Sequence, residues 1–209
     1  PCGTAIHAQG TATFALPKIG HYAYPGAEYT GKLDIIDIGI PQAVVEAVGP
    51  KQFLLTADRI RSYFQPRAAE THKGKTGHLL VVAGSTGKTG AGAMTAVSAM
   101  RAGAGLVTLG VAESLNPIVE SQVLEVMTTP LPQSQTGILG DSALDEILAL
   151  THGKTCLAIG PGIGQAMETR SLVAKIIPQI DIPMVIDADG LNNVAGQTQL
   201  LKKLKAPLV

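Results

Sequence analysis

The sequence predicts an α/β fold, a mostly parallel sheet flanked by helices, preceded by a separate amino-terminal segment. Three observations predict it. Apolar runs at 78–83, 106–111, 155–159 and 183–186 alternate with stretches of helical character at about 91–102, 141–150, 168–179 and 197–204. Buried strands that alternate with helices imply parallel pairing with both sheet faces covered. Glycine-rich turns follow two of these runs, at the strand ends where such sheets bind ligands. Finally, all seven aromatic residues fall within the first 64 positions and none lies between 65 and 209, a shift that suggests two domains.

Taken in order, 11–16 and 32–38 read as strands rich in Thr, Ile and Leu, and 16–26 as turn-rich loop. Pro41 opens a short helix at the position proline favours. The stretch 65–75 is polar, is broken by Pro66 and Gly74, and lacks apolar periodicity, so it reads as a linker merging into a functional loop. Further on, Asp141 stands where an N-cap is expected, with Asp145 and Glu146 in the first turns that follow. Lys202, Lys203 and Lys205 gather near the end of the last helix, where cations meet the negative end of its dipole.

Composition narrows the function. With 45% hydrophobic residues the chain can build a sizeable core. Sixteen basic against sixteen acidic residues give zero net charge, which leaves no electrostatic footprint for nucleic acid or for an anionic membrane surface. Cys2 and Cys156 form no CxxC pair and are too few to staple the chain, which fits a reducing cytoplasm. No signal-type segment opens the sequence and no apolar run approaches a membrane span. Pro1 is not a natural start, so upstream sequence is expected. The five histidines show neither HxxxH spacing nor nearby cysteine ligands, and no zinc site is expected.

The most informative stretch runs from Leu80 to Gly92, a strand feeding a glycine-rich turn and then a helix rich in small residues. Glycines at Gly84 and Gly87 let N–H groups approach a ligand, Ser85 adds a hydroxyl, and the helix adds its positive end, which together suit a phosphate or pyrophosphate. Gly87-Lys88-Thr89 imitates the end of a P-loop, but GxxxxGK(S/T) needs a glycine where Val82 stands. The dinucleotide fingerprint needs Gly or Ala where Thr95 stands. Both motifs are therefore rejected, and a tight βα turn with no ligand suits the same glycines. A second turn, Gly160-Pro161-Gly162-Ile163-Gly164, should reach the same sheet edge. A third strand ends in Asp187-Ala188-Asp189, whose carboxylates in an extended segment share one side and could hold Mg²⁺ near phosphates; one of them could equally cap the next helix.

Five segments in order, His72 to Gly77, Val82 to Ala91, Arg101 to Thr108, Gly160 to Gly164 and Asp187 to Asn192, resemble the NAD(P)H-hydrate dehydratase family. Upstream, Thr13 to Lys18, Pro25 to Tyr29 and Asp37 to Pro41 resemble the closing part of an NAD(P)H-hydrate epimerase domain. The resemblance implies a ribokinase-like dehydratase domain over 73–209, a linker over 50–72, and the tail of a Rossmann-like epimerase domain over 1–49. It implies ADP- or ATP-dependent dehydration of the S hydrate of NADH or NADPH, by phosphorylation of the hydroxyl and loss of phosphate. Epimerisation of the R and S hydrates would accompany it in the full-length protein.

By the same resemblance, Ala91, Gly160, Gly162 and Gly164 correspond to hydrate-binding positions. Gly84, Ser85, Gly87, Lys73, Asp187, Asp189 and Asn192 are the positions expected near the nucleotide phosphates or Mg²⁺. The catalytic residues are expected beyond Val209, in HPGE, KG and GxGD segments, and the epimerase loop and its K⁺ ligands before Pro1, so this stretch alone should catalyse neither reaction. The expected partners are NAD(P)H hydrate and an adenine nucleotide, with a homo-oligomer in the full-length protein. The competing readings are a ribokinase-like kinase of a small molecule such as a vitamin precursor, and a noncatalytic nucleotide-binding module.

Overall fold

The computed structural model describes residues 3–64 and 66–209; Cys2 and Gln65 lie outside them. The chain divides into two units, Pro1–Pro66 and Arg67–Val209. The division falls within the expected linker, which also contains a short helix.

In the first unit, β1 (Gly10–Phe14) pairs in parallel with β2 (Lys32–Ile36), from Gly10 opposite Lys32 to Phe14 opposite Ile36. Between them lie α1 (Ile19–Tyr22) and α2 (Gly26–Thr30), where the sequence suggested mainly loop. Prolines and glycines here punctuate single helical turns rather than exclude them. Lys18 ties the turn after β1, donating to Thr13 Oγ1 at 2.7 Å and to the Phe14 and Leu16 carbonyls at 3.0 and 2.9 Å. Pro41 is the N-cap of α3 (Gln42–Val48). In α4 (Ala57–Arg61) Thr56 caps the Arg59 N–H, and the Arg59 guanidinium sits 4.3 Å from the centre of the Phe53 ring.

The second unit contains, among the described residues, a five-stranded sheet in the order β5-β4-β3-β6-β7, with every pair parallel. The strands are β3 (His78–Val82), β4 (Leu106–Ala112), β5 (Met127–Leu131), β6 (Cys156–Ile159) and β7 (Met184–Ile186). Burial explains why the central runs read so plainly. Leu80, Val81, Val82, Leu109, Val111, Leu157 and Ile159 are wholly removed from solvent, as expected for strands covered on both faces. Strand β5 was not expected: Met-Thr-Thr-Pro-Leu offers no apolar run, and its Pro130 is tolerated because the strand lies at the sheet edge. At the other edge Pro207–Val209 runs beside β7, with Met184 donating to the Pro207 carbonyl and Ile186 to that of Val209.

The α-helices of this unit, among the described residues, are α5 (Thr89–Ala102), α6 (Asn116–Glu120), α7 (Leu144–Leu150), α8 (Met167–Ile176) and, after β7, α9 (Asp189–Val194). Small residues let α5 lie close on the sheet; Ala96 is fully buried, and a Cβ on Gly92 would come within 3.3 Å of the Ala83 carbonyl. The stretch 197–204 forms a 3-10 turn, Thr198–Lys203, rather than an α-helix. Asp141 does not cap α7. It lies in a 3-10 turn, Asp141–Ala143, and its carboxylate instead takes bonds from Lys175 at 2.5 Å and Ser171 at 3.2 Å. Those two donors hold its carboxyl below the usual carboxylate range.

Candidate functional site

Strand order locates the site. From β3 the chain steps outward on one side to β4 and β5, then returns to the other side of β3 for β6 and β7. The loops leaving the carboxyl ends of β3 and β6 therefore flank the point where winding reverses, the crevice in which open α/β sheets bind ligands.

Three loops meet there. Gly84 donates its N–H to the Pro161 carbonyl at 2.9 Å, and the Ser85 hydroxyl donates to the Gly162 carbonyl at 2.7 Å, joining the first loop to the second. Asn193 Nδ2 donates to the Gly164 carbonyl at 2.9 Å, joining the second to α9. Gly160 and Gly162 are required by this junction. Both have positive φ, 125° and 66°; a Cβ on Gly160 would overlap the Asp187 carbonyl, and one on Gly162 would lie 2.8 Å from the Ala91 Cβ. Ala91 is thus packed against the second glycine loop at the start of α5.

Asp189 is the hub. It is 8% exposed and accepts from four donors. Oδ2 takes Lys88 Nζ at 2.9 Å and the Gly164 N–H at 3.1 Å, while Oδ1 takes Gln165 Nε2 at 2.7 Å and Asn192 Nδ2 at 3.4 Å. The Lys88 ammonium first, then Gln165, lowers its carboxyl from 3.8 to about 2 against the opposing effect of burial.

The expected side-by-side arrangement of Asp187 and Asp189 is not what the chain adopts. Ala188 has φ 50° and ψ −118°, so the backbone turns sharply and α9 begins at Asp189. Asp189 faces the loop junction with both oxygens engaged, whereas Asp187 is exposed at the end of β7. Lys73 is also set apart. It lies in a 3-10 turn, Lys73–Thr76, just before β3, and Thr76 receives the Gly105 N–H at the start of β4. That is the amino edge of the sheet, a strand length of roughly 17 Å from the glycine loops. The structure thus brings together Gly84, Ser85, Ala91, Gly160, Gly162, Gly164, Asp189 and Asn192, leaves Gly87 at the tip of the first loop, and separates Lys73.

Sequence reasoning missed Lys88, Gln165 and Asn193. Lys88 was visible only as part of a rejected P-loop, although its charge beside a glycine turn was itself a signal. Gln165 and Asn193 carried none, because their importance comes from contacts 24 and 29 residues away in sequence.

One further feature is less suited to the chemistry. A cavity of about 1280 Å³ lies within the first unit, with Lys18, Glu46 and Arg59 as its charged members among apolar walls. The glycine loops, the buried carboxylate and the switch point all lie in the second unit, and we place the site there. Among the described residues no group of three or more His, Cys, Asp or Glu is placed to hold a metal, and no helix is long and apolar enough to cross a membrane.

A family model described as NAD(P)H-hydrate dehydratase matches residues 79–209. The chain belongs to that family. Relatives named bifunctional NAD(P)H-hydrate repair enzyme match along nearly its whole length: that of Moorella thermoacetica is 43% identical over 207 residues and that of Thermofilum pendens 35%. Each match covers 99% of this chain and 39% of the relative, so the chain spans about two fifths of the length of these relatives. A crystal structure of the ADP/ATP-dependent NAD(P)H-hydrate dehydratase from Bacillus subtilis, co-crystallised with ATP and Mg²⁺, aligns with a TM-score of 0.53 at 27% identity. That alignment covers 65% of this chain and 46% of that one. A ribokinase-like superfamily protein from Enterococcus faecalis aligns with a TM-score of 0.56 at 18% identity, over 68% of this chain and 47% of the other, a likeness of fold. The second unit therefore has a ribokinase-like fold.

Proposed function

We propose that this chain forms part of a nicotinamide-nucleotide repair enzyme, in which the second unit contributes to ADP- or ATP-dependent dehydration of the S hydrate of NADH or NADPH. The observation that carries this reading is the junction of three loops at the switch point of the sheet, in a chain of this family. Within the first loop, among the described residues, the N–H groups of Thr86, Gly87 and Gly90 meet no protein acceptor. Such groups at the start of a long helix suit a phosphate or pyrophosphate, which both the hydrate and the nucleotide carry. Ala91, Gly160, Gly162 and Gly164 form the wall against which the hydrate would lie.

ATP or ADP supplies the phosphoryl group that converts the hydrate's hydroxyl into a good leaving group. The residues of this chain position and neutralise charge rather than form bonds, as phosphoryl transfer requires. The donor set fits Mg²⁺ brought in with nucleotide phosphates, since that ion takes only one or two carboxylates from protein. Asp187 is exposed at the strand end and would meet it, whereas the Asp189 oxygens are already occupied. We further assign the first unit to the end of an epimerase domain whose K⁺ ligands lie outside this chain. The full-length protein would then interconvert the R and S hydrates in the cytoplasm, as a homo-oligomer.

The test is recovery of NADPH from its S hydrate, followed at the nicotinamide absorbance band, by the full-length protein with ATP, with ADP and without nucleotide. Nucleotide-dependent recovery is expected. A folded protein that recovers nothing with either nucleotide would overturn the assignment and favour a ribokinase-like small-molecule kinase.

A further inference from the structure

Lys88 enters the sequence reading only through the rejected P-loop, yet its setting is unusual for a surface lysine. It is the residue just before the 14-residue helix α5, and its Nζ lies 2.9 Å from Asp189 Oδ2, across 101 positions of sequence. The partner is nearly buried, at 11% side-chain exposure, whereas the lysine side chain keeps 51%. An ammonium has three donors, and the carboxylate takes one. Two donors are left over on a side chain that stays half open to water, in the same loop as the unpaired N–H groups of Thr86, Gly87 and Gly90.

Stability alone does not call for this arrangement, because a lysine half open to water gains only part of what a buried partner offers. Asp189 does something more specific, since it removes the conformational freedom of a long side chain and sets its charge at the mouth of the loop junction. Inside the same junction Asn193 is 1% exposed; its Nδ2 serves Gly164 while its Oδ1 is buried and meets no protein donor. A buried acceptor of this kind is rarely left without a partner. The junction therefore carries a half-exposed lysine with donors to spare and, within it, a buried acceptor that no protein donor satisfies.

We propose that Lys88 is an anion-binding residue of this site, taking a phosphate or pyrophosphate group of the ligand, and that Asp189 is the positioning residue that aims it. The inference rests on the proposed binding of hydrate and nucleotide at this junction and adds the residue that recognises their shared charge. Arginine could replace Lys88 in kind, since it keeps both charge and reach; methionine keeps the reach and the apolar stem without the charge.

The experiment compares the full-length protein with its Lys88→Met, Lys88→Arg and Asp189→Asn variants, each checked for an unchanged far-UV circular dichroism spectrum. One arm titrates ADP, ATP, NADP⁺ and inorganic pyrophosphate by calorimetry at two salt concentrations. A second measures KM and kcat separately for the hydrate and for the nucleotide. Lys88→Met is expected to weaken pyrophosphate binding at least tenfold, to flatten its salt dependence, and to raise KM for one of the two substrates far more than for the other, which identifies whose phosphate it holds. Lys88→Arg is expected to stay within about threefold, and Asp189→Asn to fall between them. Lys88→Met binding all four ligands within twofold of the unaltered protein, with unchanged salt dependence, would overturn the proposal. Absent turnover alongside Lys88-dependent pyrophosphate binding would sink the dehydratase reading and leave this inference standing.

Discussion

Asp189 collects a lysine, a backbone N–H and two side-chain amides from three segments of the chain, and each favours its charged form. Its carboxyl lies near 2 in the folded protein against 3.8 when free of these partners. A carboxyl lowered on folding stabilises the fold above its unfolded value, and that stabilisation fades as pH falls through the folded value. Allowing for the water that reaches Lys88, the effect is on the order of 1–2 kcal/mol. Asp189→Asn should therefore be less stable by about that amount at neutral pH. The gap should be narrower near pH 3 and close as pH approaches about 2. Urea unfolding of both proteins at several pH values checks it; a gap that does not change with pH would mean that the carboxylate contributes shape and not charge. His78 shows the opposite use of burial. Desolvation, with a smaller contribution from Lys154, holds its imidazole below the ordinary histidine range, and its Nε2 lies 2.8 Å from the Thr108 hydroxyl.

At the scale of elements, the junction depends on backbones that approach closely. Gly162 has φ 66°, and a Cβ there would press on the Ala91 and Lys88 side chains at 2.8 and 3.0 Å and on the Lys88 carbonyl at 3.1 Å. Gly162→Ala should push the second loop away from the start of α5. It should cost about 1–3 kcal/mol from the left-handed backbone and the contact together, with loss of nucleotide or hydrate binding larger than the loss of stability. A binding titration paired with a thermal melt separates the two, and binding that persists within twofold would show that the loops yield without harm. These glycine turns were legible in the sequence because they combine apolar strand, glycine and small-residue helix in one contiguous stretch. The edge strand β5 was not legible, since its partly exposed residues and Pro130 leave no periodic apolar signal. Asp187 and Asp189 were recognised as a pair, but their divergence depends on positive φ at Ala188, which nothing in an alanine announces. The contacts of Lys88, Gln165 and Asn193 were hidden for a different reason, as they exist only once distant loops are brought together.

Across the whole molecule, burial and aromatic content divide the same way. Among the described residues, every buried hydrophobic side chain lies between Leu80 and Val194, whereas the buried residues of the first unit are Thr13 and Thr30. Phe14, Ile19, Val48, Phe53 and Leu55 of the first unit are each more than half exposed. A parallel pair of strands with so little core is expected to be the weaker unit, because burial of apolar area is the main term opposing chain entropy. Since all four tyrosines lie within the first 64 residues, tyrosine fluorescence reports that unit alone, while far-UV circular dichroism is dominated by the helices and sheet of the second. In a urea titration of this 209-residue chain the fluorescence transition should precede the dichroism transition, and should be the broader, since slope scales with the surface exposed on unfolding. Coincident curves would mean that the two units unfold as one cooperative body, with the first unit drawing its stability from the second rather than from its own few buried residues.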